Sequence, residues 1–177
     1  MTHDPEDVSH IAGNASDDLK GHVLAMQRLF MGDGTAFGDS IGRRVKVAEV
    51  SVRKKADEPE KLEGRVVCEI IVTKDMVNGG GNIHGACSAY LVDLCSLLPL
   101  CALSLATSGS GSGGVSQAIN MLYHSPARIG DHLRMISTTL TIGTRISSSR
   151  CEIWNVNHHR LVASGVQVKM EPSISKL

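Results

Sequence analysis

Asp93 is a carboxylate inside the most apolar stretch of this 177-residue chain, "NGGGNIHGACSAYLVDLCSLLPLCALSLA" at residues 78–106. With Tyr90, Leu94 and Leu97 as helical neighbours, it is costly to bury without partners, and burial raises a carboxyl pKa toward the general-base range. The plain structural alternative is an Asp that caps a backbone segment or pairs with Arg128, Arg134 or Arg145. Upstream, Gly85 closes a glycine-rich loop at a helix start, where the first amide N–H groups lack intrahelical acceptors and carry partial positive charge. Having no side chain, Gly85 lets a substrate carbonyl reach its N–H, as acyl transfer requires; its alternative role is tight packing at the helix start. Asn78 and His84 can add donors there, or serve the loop alone.

Gly85 and Asp93 lie eight residues apart. On one helix that is roughly 12 Å, whereas contacts of about 3 Å to one reacting carbonyl are needed. If both act, they act across a dimer: Gly85 of one subunit polarises the carbonyl and Asp93 of the other handles water. The glycines themselves are a weak nucleotide signature, because "GGGNIHG" lacks the Lys-Ser/Thr of a P-loop and no strand-helix-strand unit follows.

These residues need a scaffold, and the surrounding pattern supplies one. "RRVKVAEVSV" and "RVVCEIIVT" read as strands, the second with Val66, Cys68, Ile70 and Val72 on one face. After the apolar helix and the flexible "TSGSGSGG" come four further strands; in the last, "RLVASGVQVKM", Val162, Ser164, Val166, Val168 and Met170 share a face. Short turns favour antiparallel pairing, and a helix apolar on almost every side must be wrapped. The expectation is an α+β fold with a curved antiparallel sheet of about six strands around one long central helix. Residues 1–16 read as a disordered tail and 17–40 as a helix and linker, with Ser16 as cap and Leu19, Val23, Met26 and Phe30 as the docking stripe. Residues 41–172 form the domain.

Eighteen basic and 18 acidic side chains cancel, so no global field recruits nucleic acid or an anionic membrane. Five cysteines without a CxxC pair suit small buried hydrophobes in a reducing compartment better than a disulfide frame or a metal site. The acidic, polar N-terminus resembles neither a secretory signal nor a mitochondrial presequence, so a cytoplasmic setting is expected. Membrane insertion of the apolar run is disfavoured by Asp93 near its middle and by Pro99.

"N78…IHGACSAYLVD93" followed by "GGVSQAINMLYHSPARIGD" resembles the hotdog-fold acyl-CoA thioesterases of the phenylacetate-pathway type, over about residues 62–170. The resemblance implies hydrolysis of an acyl-CoA by a homodimer or dimer of dimers, with no metal and no cofactor beyond the coenzyme A of the substrate. Carried over, Asn78 and the Gly85 N–H bind the thioester carbonyl, Asp93 acts on water or attacks directly, Ser116 helps position the water or carboxylate, and His84 supports. Ala86 departs from the family pattern, where a second glycine is usual. Tyr90, Leu94 and the 107–114 loop are expected to shape the acyl pocket; Arg128, Arg145, Arg150, Lys169 and His158-His159 are candidates for the coenzyme A phosphates. Two rivals remain at this point: a hydratase or dehydratase on the same fold using His84 and Asp93, and a non-catalytic acyl-CoA-binding module.

Overall fold

Six antiparallel strands wrap one long helix, as the strand-helix-strand order requires. The computed structural model describes residues 7–31, 35–111 and 113–171. The elements run α1 (Asp17–Met31), α2 (Asp39–Gly42), β1 (Lys46–Lys54), β2 (Leu62–Ile71), α3 (Gly85–Thr107), β3 (Val115–Tyr123), β4 (His132–Ile142), β5 (Ile146–Asn155) and β6 (Arg160–Met170). The sheet order is β1-β2-β4-β5-β6-β3 with every neighbouring pair antiparallel, so β1 and β3 are its edges.

By length and hydropathy α3 could cross a membrane. Instead it touches all six strands, and Leu91, Val92, Cys95, Leu98, Cys101 and Ala102 are completely buried. Two glycines allow the close approach. A Cβ on Gly64 of β2 would lie 2.3 Å from the Pro99 carbonyl oxygen, and one on Gly165 of β6 would lie 2.8 Å from Val92 Cγ1. All five cysteines are buried free thiols, as their scatter through apolar runs implied.

The N-terminal segment corrects the sequence reading. Residues 1–6 fall outside the described part, but from Val8 onward the expected disordered tail is ordered structure. Ile11 is 2% exposed in the main core, and Ala12 exchanges backbone hydrogen bonds with Ala48 and Val50 on the β1 edge. Two apolar anchors and an open strand edge suffice to order a polar segment. Ile11→Ala should therefore cost about 2–5 kcal/mol in a denaturant unfolding experiment, where a disordered residue would cost nothing measurable.

Ser16 caps α1 as expected, accepting from the Leu19 N–H at 3.3 Å. The buried stripe is different: Lys20, Val23, Leu24 and Gln27 are buried, while Phe30 is exposed. Gln27 Nε2 donates to the Val45 carbonyl at 2.9 Å, so a polar contact to the chain entering β1 sets the rotation of α1.

In β6 the expected shared face is present from Ser164 to Met170, and it is the outer one. Its buried residues after Val162 are Ala163, Gly165, Gln167 and Lys169, whereas Ser164, Val166, Val168 and Met170 are only half-buried. The apolar alternation marks the outer face here. The polar set turns inward because α3 brings polar groups to meet it.

Candidate active site

Asp93 lies on α3 where β3 and β6 pass, and it is half-buried. None of the arginines considered as partners pairs with it among the described residues; Arg134, for example, faces Glu69. Its Oδ1 accepts from Ser116 Oγ at 3.1 Å and from Gln167 Nε2. Gln167 Nε2 also donates to Ser116 Oγ at 2.9 Å, and Lys169 Nζ donates to the same oxygen at 3.1 Å. Behind them, the buried Ser96 hydroxyl donates to Gln167 Oε1 at 2.6 Å. The sense of the Gln167 amide follows from chemistry, because a carboxylate can only accept and so must face the NH2 end.

Two consequences follow from this network. Ser116 Oγ receives two donors that cannot accept, so its own proton goes to Asp93. Asp93 Oδ1 then has two donors, while Oδ2 accepts no hydrogen bond from the described residues.

A β-bulge delivers Ser116 to this place. Ser116 is opposite Lys169 and Ala118 opposite Val168, so Gln117 is the extra residue. Without that insertion, simple alternation would put Ser116 on the face opposite Ile119 and Met121, which pack against the core. With it, Ser116 points inward beside Gln167 and Lys169.

Gly85 is the first residue of α3, after the N-cap His84. His84 Nδ1 accepts the Ala86 N–H at 3.0 Å, which leaves the ring proton on Nε2. Tyr123 Oη donates to the Gly85 carbonyl at 3.2 Å, while the Gly85 N–H has no hydrogen-bond partner among the described residues. Gly85, Ser88, Tyr123 and His124 line a groove of about 370 Å³. In the preceding loop, Asn78 Oδ1 accepts from the Gly80 N–H at 2.9 Å and the Asn82 N–H at 3.3 Å. That assigns the amide sense and leaves Nδ2 as the donor end.

The other expected site residues are elsewhere. The Tyr90 ring meets Phe37 edge-on at a centroid distance of 5.8 Å, and its hydroxyl is buried without a partner among the described residues. Burial pushes that phenol upward. Arg145 is exposed in the β4–β5 turn, its carbonyl accepting the Glu171 N–H. Leu94 is in the core, but Ser108, Ser110, Gly113 and Gly114 of the 107–114 loop line a cavity of about 510 Å³ with Leu100, Ile142 and Lys169. Ser112 lies outside the described residues. Lys169, one of the candidates for the coenzyme A phosphates, is 5% exposed and is therefore no ordinary solvated charge. Cys87, in the first turn of α3, is pushed up to about 11 by burial, which makes it a poor thiolate nucleophile.

Gln167 and Ser96 are absent from the sequence reading. The only signal for them is polarity on strand and helix positions otherwise surrounded by apolar residues.

Residues 80–169 match the family model for the Thioesterase superfamily, which is half of the chain. The chain belongs to the thioesterase superfamily. Acyl-coenzyme A thioesterase 13 of Homo sapiens is 30% identical over 106 residues, covering 60% of this chain and 72% of that protein. The crystal structure of zebra fish thioesterase superfamily member 2 superposes with a TM-score of 0.68 at 26% identity, covering 85% of this chain and 98% of its own. The E. coli PaaI protein of the phenylacetic acid degradation operon shares the fold, with a TM-score of 0.64 at 18% identity over 90% of this chain and 97% of its own. This thioesterase superfamily member is thus a thioester hydrolase with the hotdog fold that the resemblance implied.

Proposed function

We propose that the protein hydrolyses acyl-CoA thioesters to free acid and coenzyme A, with Asp93 Oδ2 as the base that takes a proton from water. The observation that carries this reading is the fixed carboxylate, whose Oδ1 is held by Ser116 and Gln167 while Oδ2 accepts no hydrogen bond from the described residues. Water adds to the thioester carbonyl as its proton passes to Asp93. The oxyanion is held by the Gly85 N–H, with the Asn78 amide as a second donor. Collapse breaks the C–S bond, and the departing thiolate takes the proton from Asp93.

Both groups sit on one α3, roughly 12 Å apart by helix rise, so a working site pairs Gly85 of one subunit with Asp93 of another. The edge strand β3 supports that assembly. Its nine residues are mostly exposed, and Val115, Leu122 and Tyr123 are 53%, 66% and 59% exposed. An open, partly apolar edge is a template for pairing with the same strand of a second copy.

A hydratase would need His84 to accept a proton, but Nδ1 caps α3 and Nε2 carries the hydrogen. The acyl-CoA reading is tested with acyl-CoAs of varied length and aromaticity and a thiol-trapping dye. Release of one thiol per acid formed is expected for at least one class. Saturable binding without thiol release would leave only a binding module, and loss of an enoyl absorbance without thiol release would indicate a hydratase.

A further inference from the structure

We infer that the cavity beside Lys169 takes the acyl group of the substrate, and that the Lys169 ammonium selects an acyl group with a hydroxyl or carbonyl oxygen on the carbon β to the thioester. The inference deepens the acyl-CoA reading and rests on it. Lys169 is 5% exposed, and its Nζ donates to Ser116 Oγ at 3.1 Å. An ammonium carries three N–H donors, and Nζ forms no other hydrogen bond and no salt bridge among the described residues. Two donors of a buried cation are thus left without acceptors, a cost that an acceptor on a ligand removes. There is space for one: Lys169 lines the cavity of about 510 Å³, a volume within the range of small-molecule sites.

The surroundings decide which acceptor fits. Ser104, Ser108 and Ser110 in the same cavity satisfy one another: the Ser104 and Ser110 hydroxyls are 2.7 Å apart, and Ser108 Oγ donates to the Ser104 carbonyl at 2.9 Å. Leu100, Ile142 and Met170 offer apolar wall to the rest of an acyl chain. Lys169 is left with donors to spare. A carboxylate is the wrong partner for them. Burial lowers the Lys169 pKa and the Asp93 charge opposes that, so the ammonium already has a counter-charge one hydroxyl away, through Ser116. Glu171 adds a second carboxylate to the cavity wall. A third negative charge is repelled, whereas a neutral oxygen accepts a spare N–H and leaves the balance as it is. Position follows from the shared hydroxyl. Ser116 Oγ touches both Asp93 and Lys169, so an oxygen within reach of Nζ lies only a few bonds from the carbonyl whose attacking water Asp93 deprotonates.

The test compares kcat/KM for butanoyl-CoA, each enantiomer of 3-hydroxybutanoyl-CoA, and succinyl-CoA, with thiol release followed after subtraction of the enzyme-free rate. One 3-hydroxy enantiomer should exceed butanoyl-CoA by about 10- to 100-fold, the span of a hydrogen bond to a charged group, because the plain chain leaves the ammonium unpaired. Succinyl-CoA should show no such gain. In Lys169→Met the ratio of 3-hydroxybutanoyl to butanoyl kcat/KM should fall to about one. Any loss transmitted through Ser116 acts on both substrates and cancels in that ratio. Butanoyl-CoA hydrolysed as well as both 3-hydroxy enantiomers, or a preference for succinyl-CoA, would overturn the inference on the wild-type protein alone, whether or not the variant folds. So would an unchanged ratio in a folded Lys169→Met, which assigns the lysine to the coenzyme A moiety or to the framework. If plain acyl-CoAs are hydrolysed without this preference, only the selection by Lys169 fails; if no acyl-CoA of any length or aromaticity releases thiol, the reading beneath it fails.

Discussion

Asp93→Asn should lower kcat for acyl-CoA hydrolysis by about 10²- to 10⁴-fold, the span associated with loss of a positioned general base. Asn is the informative substitution here. Its carbonyl oxygen can keep both hydrogen bonds that Oδ1 receives, from Ser116 and Gln167, so the framework has no reason to shift. The NH2 group then replaces Oδ2. It can donate but cannot take a proton from water, so chemistry is lost without loss of contacts. Asp93→Ala removes the same base but strands the Gln167 amide and the Ser116 hydroxyl, adding about 1–3 kcal/mol of destabilisation that confuses the result. Thiol release followed with a trapping dye, beside a thermal melt, makes the comparison. An Asn variant with wild-type turnover and an unchanged melt would remove Asp93 from the reaction.

The carboxylate is legible in the sequence because a lone charge in an apolar helix demands a partner or a task. The strands are legible for the opposite reason: β-branched runs between glycine and proline turns leave few alternatives. Ser116 is reached through the family resemblance, but the rest of what holds Asp93 is not legible. Gln167 and Lys169 share their strand with Val166 and Val168, and alternation favours placing the valines inside. Packing against α3 decides otherwise, and a bulge at Gln117, which nothing in the local sequence marks, then brings Ser116 of β3 to the same place. The same limit applies at the N-terminus, where Val8 and Ile11 are too few to signal order until the edge of β1 is in place beside them.

Gly85→Pro should lower kcat by about 10²- to 10³-fold while leaving α3 intact, because it deletes the N–H proposed to hold the oxyanion and little else. Proline is favoured at the first position of a helix, where the amide has no intrahelical acceptor. His84 has φ −69° and ψ 136°, the extended conformation that a residue before proline prefers. A Cβ at position 85 would meet the Tyr123 ring at 3.4 Å, an ordinary contact. The variant then becomes half of a sharper experiment. Gly85→Pro and Asp93→Asn are each inactive as homodimers, since every site lacks one group. Mixed and allowed to exchange subunits, about half of the dimers are hybrids. If each site takes Gly85 from one subunit and Asp93 from the other, a hybrid has one site with both lesions and one with neither. About a quarter of wild-type activity then returns, from two dead proteins, with no new contact made. If each site is built within one chain, no intact site can form and the mixture stays inactive. Recovery on mixing therefore reads out the shared site directly, and silence after verified exchange would dismantle it.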